Sequence, residues 1–86
     1  MDKIVVVKEI IKEQSMIIGD SLSKMMAESS GVVKITQFDV QVTSDNQDEV
    51  FKKLIESYSK LFGQASIDLC LNIIHKHYGD DFKVSL

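Results

Sequence analysis

An apolar stripe in the first 29 residues constrains the fold more than any other feature of the sequence. Its side chains recur at steps of three or four positions, the spacing of one face of an α-helix. The stripe consists of Ile4, Val7, Ile11, Ile18, Leu22 and Met25, with the polar Gln14 among them. The charged residues fall largely outside it, and no proline interrupts it. This pattern predicts one long amphipathic helix from Asp2 to about Ser29, ended by Gly31.

Two features oppose a continuous helix over this range. Val5, Val6 and Val7 are β-branched, so a start delayed to about Val7 is one alternative. Gly19 costs about 1 kcal/mol relative to alanine inside a helix, and glycine also allows a helix to bend. The second alternative is therefore a helix that kinks at Gly19 and folds back on the body of a compact monomer.

The opening stretch does not suit a membrane anchor or a secretion signal. Charged residues interrupt it well before the roughly 20 apolar residues that a bilayer requires, and a basic region with an uninterrupted apolar core and a cleavage site is missing. Cys70 is the single cysteine, so an intrachain disulfide is impossible and a reducing compartment is favoured. We therefore expect a cytoplasmic protein that does not associate with membranes.

Length and charge narrow the class further. The 86 residues are predicted to form a single domain over 1–86, because two halves would be too small to bury a core. Ten lysines, no arginine and thirteen acidic residues give a net charge of −3. This balance provides neither an attraction to phosphate nor the bidentate side chain that usually reads guanine, so we expect no nucleic-acid partner.

The stretch VVKITQFDVQVT, residues 32–43, changes to the two-residue period of a strand. Its apolar positions are Val33 and Ile35 on one parity and Phe38, Val40 and Val42 on the other. The change of parity near Thr36-Gln37 predicts either a bulge within one strand or a tight turn that makes a hairpin. One edge of such a sheet would stay open, and pairing with a second chain would close it.

Two further helices and a short strand complete the prediction. A capping box from Ser44 to Gln47 begins the first helix, and Gly63 after its apolar stripe marks either a C-cap or a close helix contact. The second helix runs from Gln64 to Tyr78 and is ended by Gly79. The remaining apolar residues, Phe82, Val84 and Leu86, alternate at period two and predict a short C-terminal strand. The predicted fold class is α+β, mostly helical.

Candidate chemistry is sparse. His75, His77 and Asp80 are acceptable metal ligands and form the candidate metal site, although residues two apart on a helix point about 200° away from each other. Cys70 and His77 would lie about 10 Å apart along a helix, too far for a nucleophile and its base. We therefore predict a protein that is not an enzyme and holds no cofactor.

The predicted first helix instead points to a partner. About 27 residues of helix span roughly 40 Å, whereas a domain of this size has a diameter of only about 30 Å. An overhanging apolar stripe requires cover, and a second copy is the most economical partner because one patch serves both chains. The predicted dimer interface consists of Ile4, Val7, Ile11, Gln14, Ile18, Leu22 and Met25, with Gln14 fixing the register.

The leading hypothesis is a homodimeric interaction, regulatory or signalling module, with another protein as a further possible partner. One alternative is a small-ligand or metal-binding protein, with its site between helices or near His75 and His77. A second alternative is a small subunit of a larger enzyme, because an apolar first helix would equally suit a larger partner.

Overall fold

A computed structural model describes residues 2–37, 39–84 and 86 of the protein. The elements in chain order are α1 (Lys3–Ile18), α2 (Asp20–Ser29), β1 (Val33–Ile35), β2 (Val40–Val42), α3 (Gln47–Phe62) and α4 (Gln64–Tyr78). The predicted class, α+β and mostly helical, is confirmed. Among the described residues, no helix combines the length and the apolar character needed to cross a membrane.

The first predicted helix is wrong in its continuity, because Gly19 divides it into α1 and α2. The alternative of a start delayed to Val7 is also wrong, since the Asp2 carboxylate accepts a hydrogen bond from the Ile4 N–H at 2.9 Å and caps α1 at its first turn. α2 folds back along α1 and packs against it. The described residues span 33 × 26 × 18 Å, so the predicted overhang does not exist.

The described residues of this stretch, 33–37 and 39–42, form the hairpin alternative rather than a bulged strand. β1 and β2 pair antiparallel, with Val33 opposite Val42 and Ile35 opposite Val40. The turn between them is closed by the Thr36 N–H, which donates to the Asp39 carbonyl at 2.8 Å. This reversal explains the change of parity, because all four apolar strand residues pack on the helical core. Phe38, which was part of the predicted pattern, lies outside the described residues.

α3 begins two residues later than the predicted capping box. Asn46 is the N-cap, and its side chain accepts a hydrogen bond from the Glu49 N–H at 3.1 Å. Ser44 has a supporting role, since its hydroxyl accepts from the Asn46 N–H and lies 3.2 Å from the Glu49 carboxylate. Asn46, the residue directly before α3, therefore caps the first turn of this helix.

The predicted C-terminal strand is also wrong for the described residues after Gly79. Phe82 closes a turn by donating its N–H to the Gly79 carbonyl at 3.2 Å. Its ring stacks on Tyr78 with centroids 4.8 Å apart and meets the edge of Phe51 at 6.1 Å. Phe82 and Val84 are half-buried against the core, whereas Leu86 is 63% exposed. The tail is therefore irregular, and the sheet among the described residues consists of β1 and β2.

Candidate functional site

Much of the predicted dimer interface is covered by the chain itself. Val7 and Gln14 are completely buried and Ile11 is only 7% exposed, so α1 presents these residues to the protein's own core. Ile4, Ile18 and Leu22 are half-buried. Met25 is 58% exposed, on the side of α2 that faces away from the core. The continuous stripe expected on the surface is therefore absent from the described surface of the folded chain.

Gln14 is the polar residue that the sequence places in the stripe, and its partners are within the same chain. Its side-chain amide donates to the Ser66 carbonyl at 3.2 Å and contacts the Cys70 Sγ at 3.4 Å. Its Oε1 accepts from the Ser66 hydroxyl at 3.4 Å. Burial raises the pKa of the Cys70 thiol to about 11, so the thiol is protonated at neutral pH. Gln14 thus joins α1 to α4.

Ser23 and Tyr58 form a second buried polar contact, which sequence reasoning missed. The Ser23 hydroxyl donates to the Ile11 carbonyl at 2.7 Å, and the Tyr58 hydroxyl donates to the Ser23 carbonyl at 2.7 Å. Burial raises the pKa of Tyr58 to about 12, so its hydroxyl remains a donor. No buried side-chain nitrogen or oxygen among the described residues lacks a hydrogen-bond partner. Among these residues, therefore, no unsatisfied buried side-chain atom points to a ligand site.

The three predicted metal ligands do not converge. His75 Nε2 lies 3.0 Å from the Phe82 carbonyl oxygen, whereas His77 Nε2 lies 3.0 Å from Glu9 Oε1. Asp80 is exposed in the turn after α4. Within the part of the chain that the structure describes, no three His, Cys, Asp or Glu side chains are grouped so that they could hold a metal ion.

Glu9 links α1 to α4 electrostatically. Its carboxylate pairs with the Lys76 Nζ at 2.5 Å and with His77, and its side chain is only 24% exposed. The hydrogen bonds from Lys76 and then from His77 lower the pKa of Glu9 below its ordinary value of 4.5. His77 therefore serves to hold two helices together in this structure.

The contacts of α1 with α4 establish that these helices run antiparallel. Glu9 lies beside His77, and Gln14 lies beside Ser66. Residue numbers therefore increase along α1 in the same direction in which they decrease along α4. One further turn brings the end of α1 level with the start of α4. Gly19 alone connects α1 to α2, and Gly63 alone connects α3 to α4. Both helical hairpins therefore reverse at the same end of the molecule.

We call this region the hinge end. It comprises Ile17, Ile18, Gly19, Leu22, Leu61, Phe62 and Gly63. The same pattern occurs twice in the sequence: two large apolar residues directly precede Gly19, and two directly precede Gly63. This repeated arrangement is the signal in the sequence that could have identified the hinge end in advance.

Large apolar side chains remain exposed at the hinge end although the core is closed. Ile17 is 51% exposed, Leu61 42% and Phe62 49%. None of the residues that define the hinge end is charged, but the exposed Lys60 directly precedes Leu61, and the exposed Asp20 directly follows Gly19 and pairs with Lys24. A single exposed apolar residue is ordinary, but several gathered at one end with a polar rim are typical of an interaction surface. The hinge end is the candidate functional site.

Comparisons with protein-family models, with curated proteins and with solved structures find no match to this chain.

Proposed function

We propose that the protein is a small cytoplasmic, non-enzymatic interaction module that forms a homodimer through its hinge end. The observation that carries this proposal is the exposure of Ile17, Leu61 and Phe62 at the one end where both helical hairpins reverse. The buried Cys70 thiol, the only thiol of the chain, is compatible with a reducing compartment.

A second copy suits this surface because the hinge end is apolar and carries no charge of its own. The charges directly beside it, Asp20 and Lys60, are opposite in sign and favour neither an acidic nor a basic partner, whereas two identical apolar ends can cover each other across a two-fold axis. Each chain would bury on the order of 200 Å² of apolar surface, or about 10 kcal/mol for the pair, against an association cost of similar size. The expected dimer is therefore weak and depends on concentration.

Sedimentation velocity across a series of micromolar concentrations tests the proposal. The wild-type protein is expected to shift from monomer to dimer as its concentration rises. Phe62→Lys should weaken the dimer about tenfold or more, because it places a charge in the centre of the apolar contact.

Val5→Lys is the matched control. Val5 is 47% exposed, close to the exposure of Phe62, but it lies in the first turn of α1, far from the hinge end. This variant should dimerise as the wild-type protein does. A wild-type protein that stays monomeric at every concentration would overturn the proposal and favour a role as a subunit of a larger assembly.

A further inference from the structure

The break between α1 and α2 is confined to one residue. The Gly19 N–H donates to the Ser15 carbonyl at 2.9 Å, and the Ser23 N–H donates to the Gly19 carbonyl at 3.0 Å. Both are the four-residue bonds of an α-helix, so helical bonding continues up to Gly19 and resumes from it. A continuous helix would add only the three bonds donated by residues 20–22 to the carbonyls of residues 16–18.

Backbone conformation, rather than crowding, requires glycine at this break. Gly19 has φ 90° and ψ 156°, a region that essentially only glycine adopts. No atom lies within 4 Å of the place where a Cβ would stand. Rotation of this one residue to helical torsions, which every residue type except proline adopts readily, would straighten α1 and α2 into one helix.

The apolar stripe continues through Gly19 at helical spacing. Ile11, Gln14, Ile18 and Leu22 follow at steps of three or four, so a straight helix would present them on one face. Residues 3–29 would then span about 40 Å, with α1 directed outward from the hinge end. In that arrangement α1 leaves its own α4 and reaches toward a chain that faces it across the hinge end.

We infer that two copies exchange α1, each chain straightening at Gly19 and packing its α1 on the α4 of the other. The inference rests on the proposed function, since it specifies how the homodimer forms. The contacts of Gln14 with Ser66 and of Glu9 with His77 re-form between chains, so the exchanged dimer keeps the packing of the monomer. Each chain gains three backbone hydrogen bonds and covers its hinge end.

Gly19→Ala tests the role of the hinge. Alanine disfavours the bent conformation and favours the straight helix, at two hinges per dimer. Each of the two hinges should lower the dissociation constant of the dimer about tenfold. We therefore expect sedimentation to give a dissociation constant about a hundredfold lower than that of the wild-type protein.

Gly79→Ala is the matched control for the hinge variant. Gly79 has nearly the same backbone, with φ 94° and ψ 161°, and its N–H donates to the His75 carbonyl at 2.8 Å. A turn rather than a helix follows it. This variant should lose stability without any gain in dimer.

A cross-link reports which chains are in contact. In the double variant Glu9→Cys and His77→Cys, a short bismaleimide can join α1 to α4, because the wild-type side chains meet at 3.0 Å and are partly exposed. Cys70 is fully buried with a raised pKa, so it does not compete. Exchange predicts a covalent dimer on a denaturing gel, and its yield should rise when Gly19→Ala is added.

The outcomes separate this inference from the proposed function. A dimer by sedimentation whose cross-links all stay within one chain would overturn exchange and leave the proposed dimer intact. A monomer under every condition would overturn both.

A second hinge variant covers the case in which Gly19→Ala does not fold. Insertion of Gly-Ser after Gly19 disfavours a continuous helix and turns the apolar stripe after it by about 200°, while it permits the bent form. It should therefore reduce the yield of interchain cross-link. An unchanged yield in the insertion variant would also overturn exchange.

Discussion

Tyr58 on α3 donates its phenolic hydrogen to the main-chain carbonyl of Ser23 on α2 across 2.7 Å, and both side chains are fully buried. Because the Ser23 hydroxyl donates in turn to the Ile11 carbonyl, this contact joins α3 to the hairpin of α1 and α2. It fixes the position of the first two helices relative to the rest of the core.

The Tyr58→Phe variant should lower the free energy of unfolding by about 0.5–1.5 kcal/mol. Phenylalanine preserves the packing of the ring and removes one buried hydrogen bond, the typical net value of which lies in that range. Urea unfolding followed by circular dichroism should show a lower midpoint with an unchanged slope. An unaltered midpoint would mean that the hydroxyl contributes nothing to holding the helices together.

Gln14→Ala should destabilise the protein by about 2–4 kcal/mol, because it leaves a cavity and removes the acceptor of the Ser66 hydroxyl. Gln64→Ala is the control, since Gln64 is exposed at the start of α4 and its loss should change stability by less than about 0.5 kcal/mol. Chemical denaturation of both variants provides the comparison. Equal midpoints would contradict the buried role assigned to Gln14.

Glu9→Gln should reduce stability at neutral pH by about 0.5–1 kcal/mol, the usual value of a partly exposed ion pair. The pKa of Glu9 is lower in the folded chain than its ordinary value of 4.5, so its contribution is complete above that pH. The contribution is lost as the pH falls through the folded pKa, because both states then bind the proton. The difference between wild type and variant should therefore shrink in acid.

Thermal unfolding between pH 3 and pH 7 measures this difference. Glu13→Gln is the control, one turn along the same face of α1, because Glu13 pairs with none of the described lysines or histidines. A stability difference for Glu9→Gln that persists unchanged into acid would be inconsistent with the ion pair as its source.

Asn46→Ala should cost about 1 kcal/mol, because it removes the side chain that accepts the Glu49 N–H at the start of α3. Ser44→Ala should cost less, since Ser44 supports the cap without bonding a helical N–H. Comparison of the melting temperatures of the two variants shows whether Asn46 or Ser44 is the main cap at the start of α3. A larger loss for Ser44→Ala would restore the capping box that the sequence suggests.

Side-chain periodicity was a good guide to which residues are buried but a poor guide to what covers them. The stripe through Ile11 and Gln14 is buried, as its spacing requires, yet its partner is α4 of the same chain. The spacing of apolar residues is the same in one straight helix and in two helices that are separated by a single glycine without a shift in that spacing. The break at Gly19 could therefore not be decided from spacing alone, and the overhang inferred from a straight helix was wrong.

Competition between neighbouring residues for the same role explains the smaller differences between the predicted and the observed elements. Ser44 and Asn46 are both competent caps, and only the final path of the chain selects Asn46. The alternation of Phe82 and Val84 fits a strand. In the structure, however, the Phe82 ring packs on the rings of Tyr78 and Phe51, a contact that it would lose in a paired strand. By contrast, the glycine ends of α3 and α4 were predictable, because no other nearby residue adopts a positive φ without strain.

The reversal of both helical hairpins at one end places the first turn of α1 and the tail after α4 at the opposite end. A fluorescent protein or an affinity tag fused to either terminus would therefore project away from Gly19 and Gly63. Labelled versions of this chain should assemble as the untagged protein does.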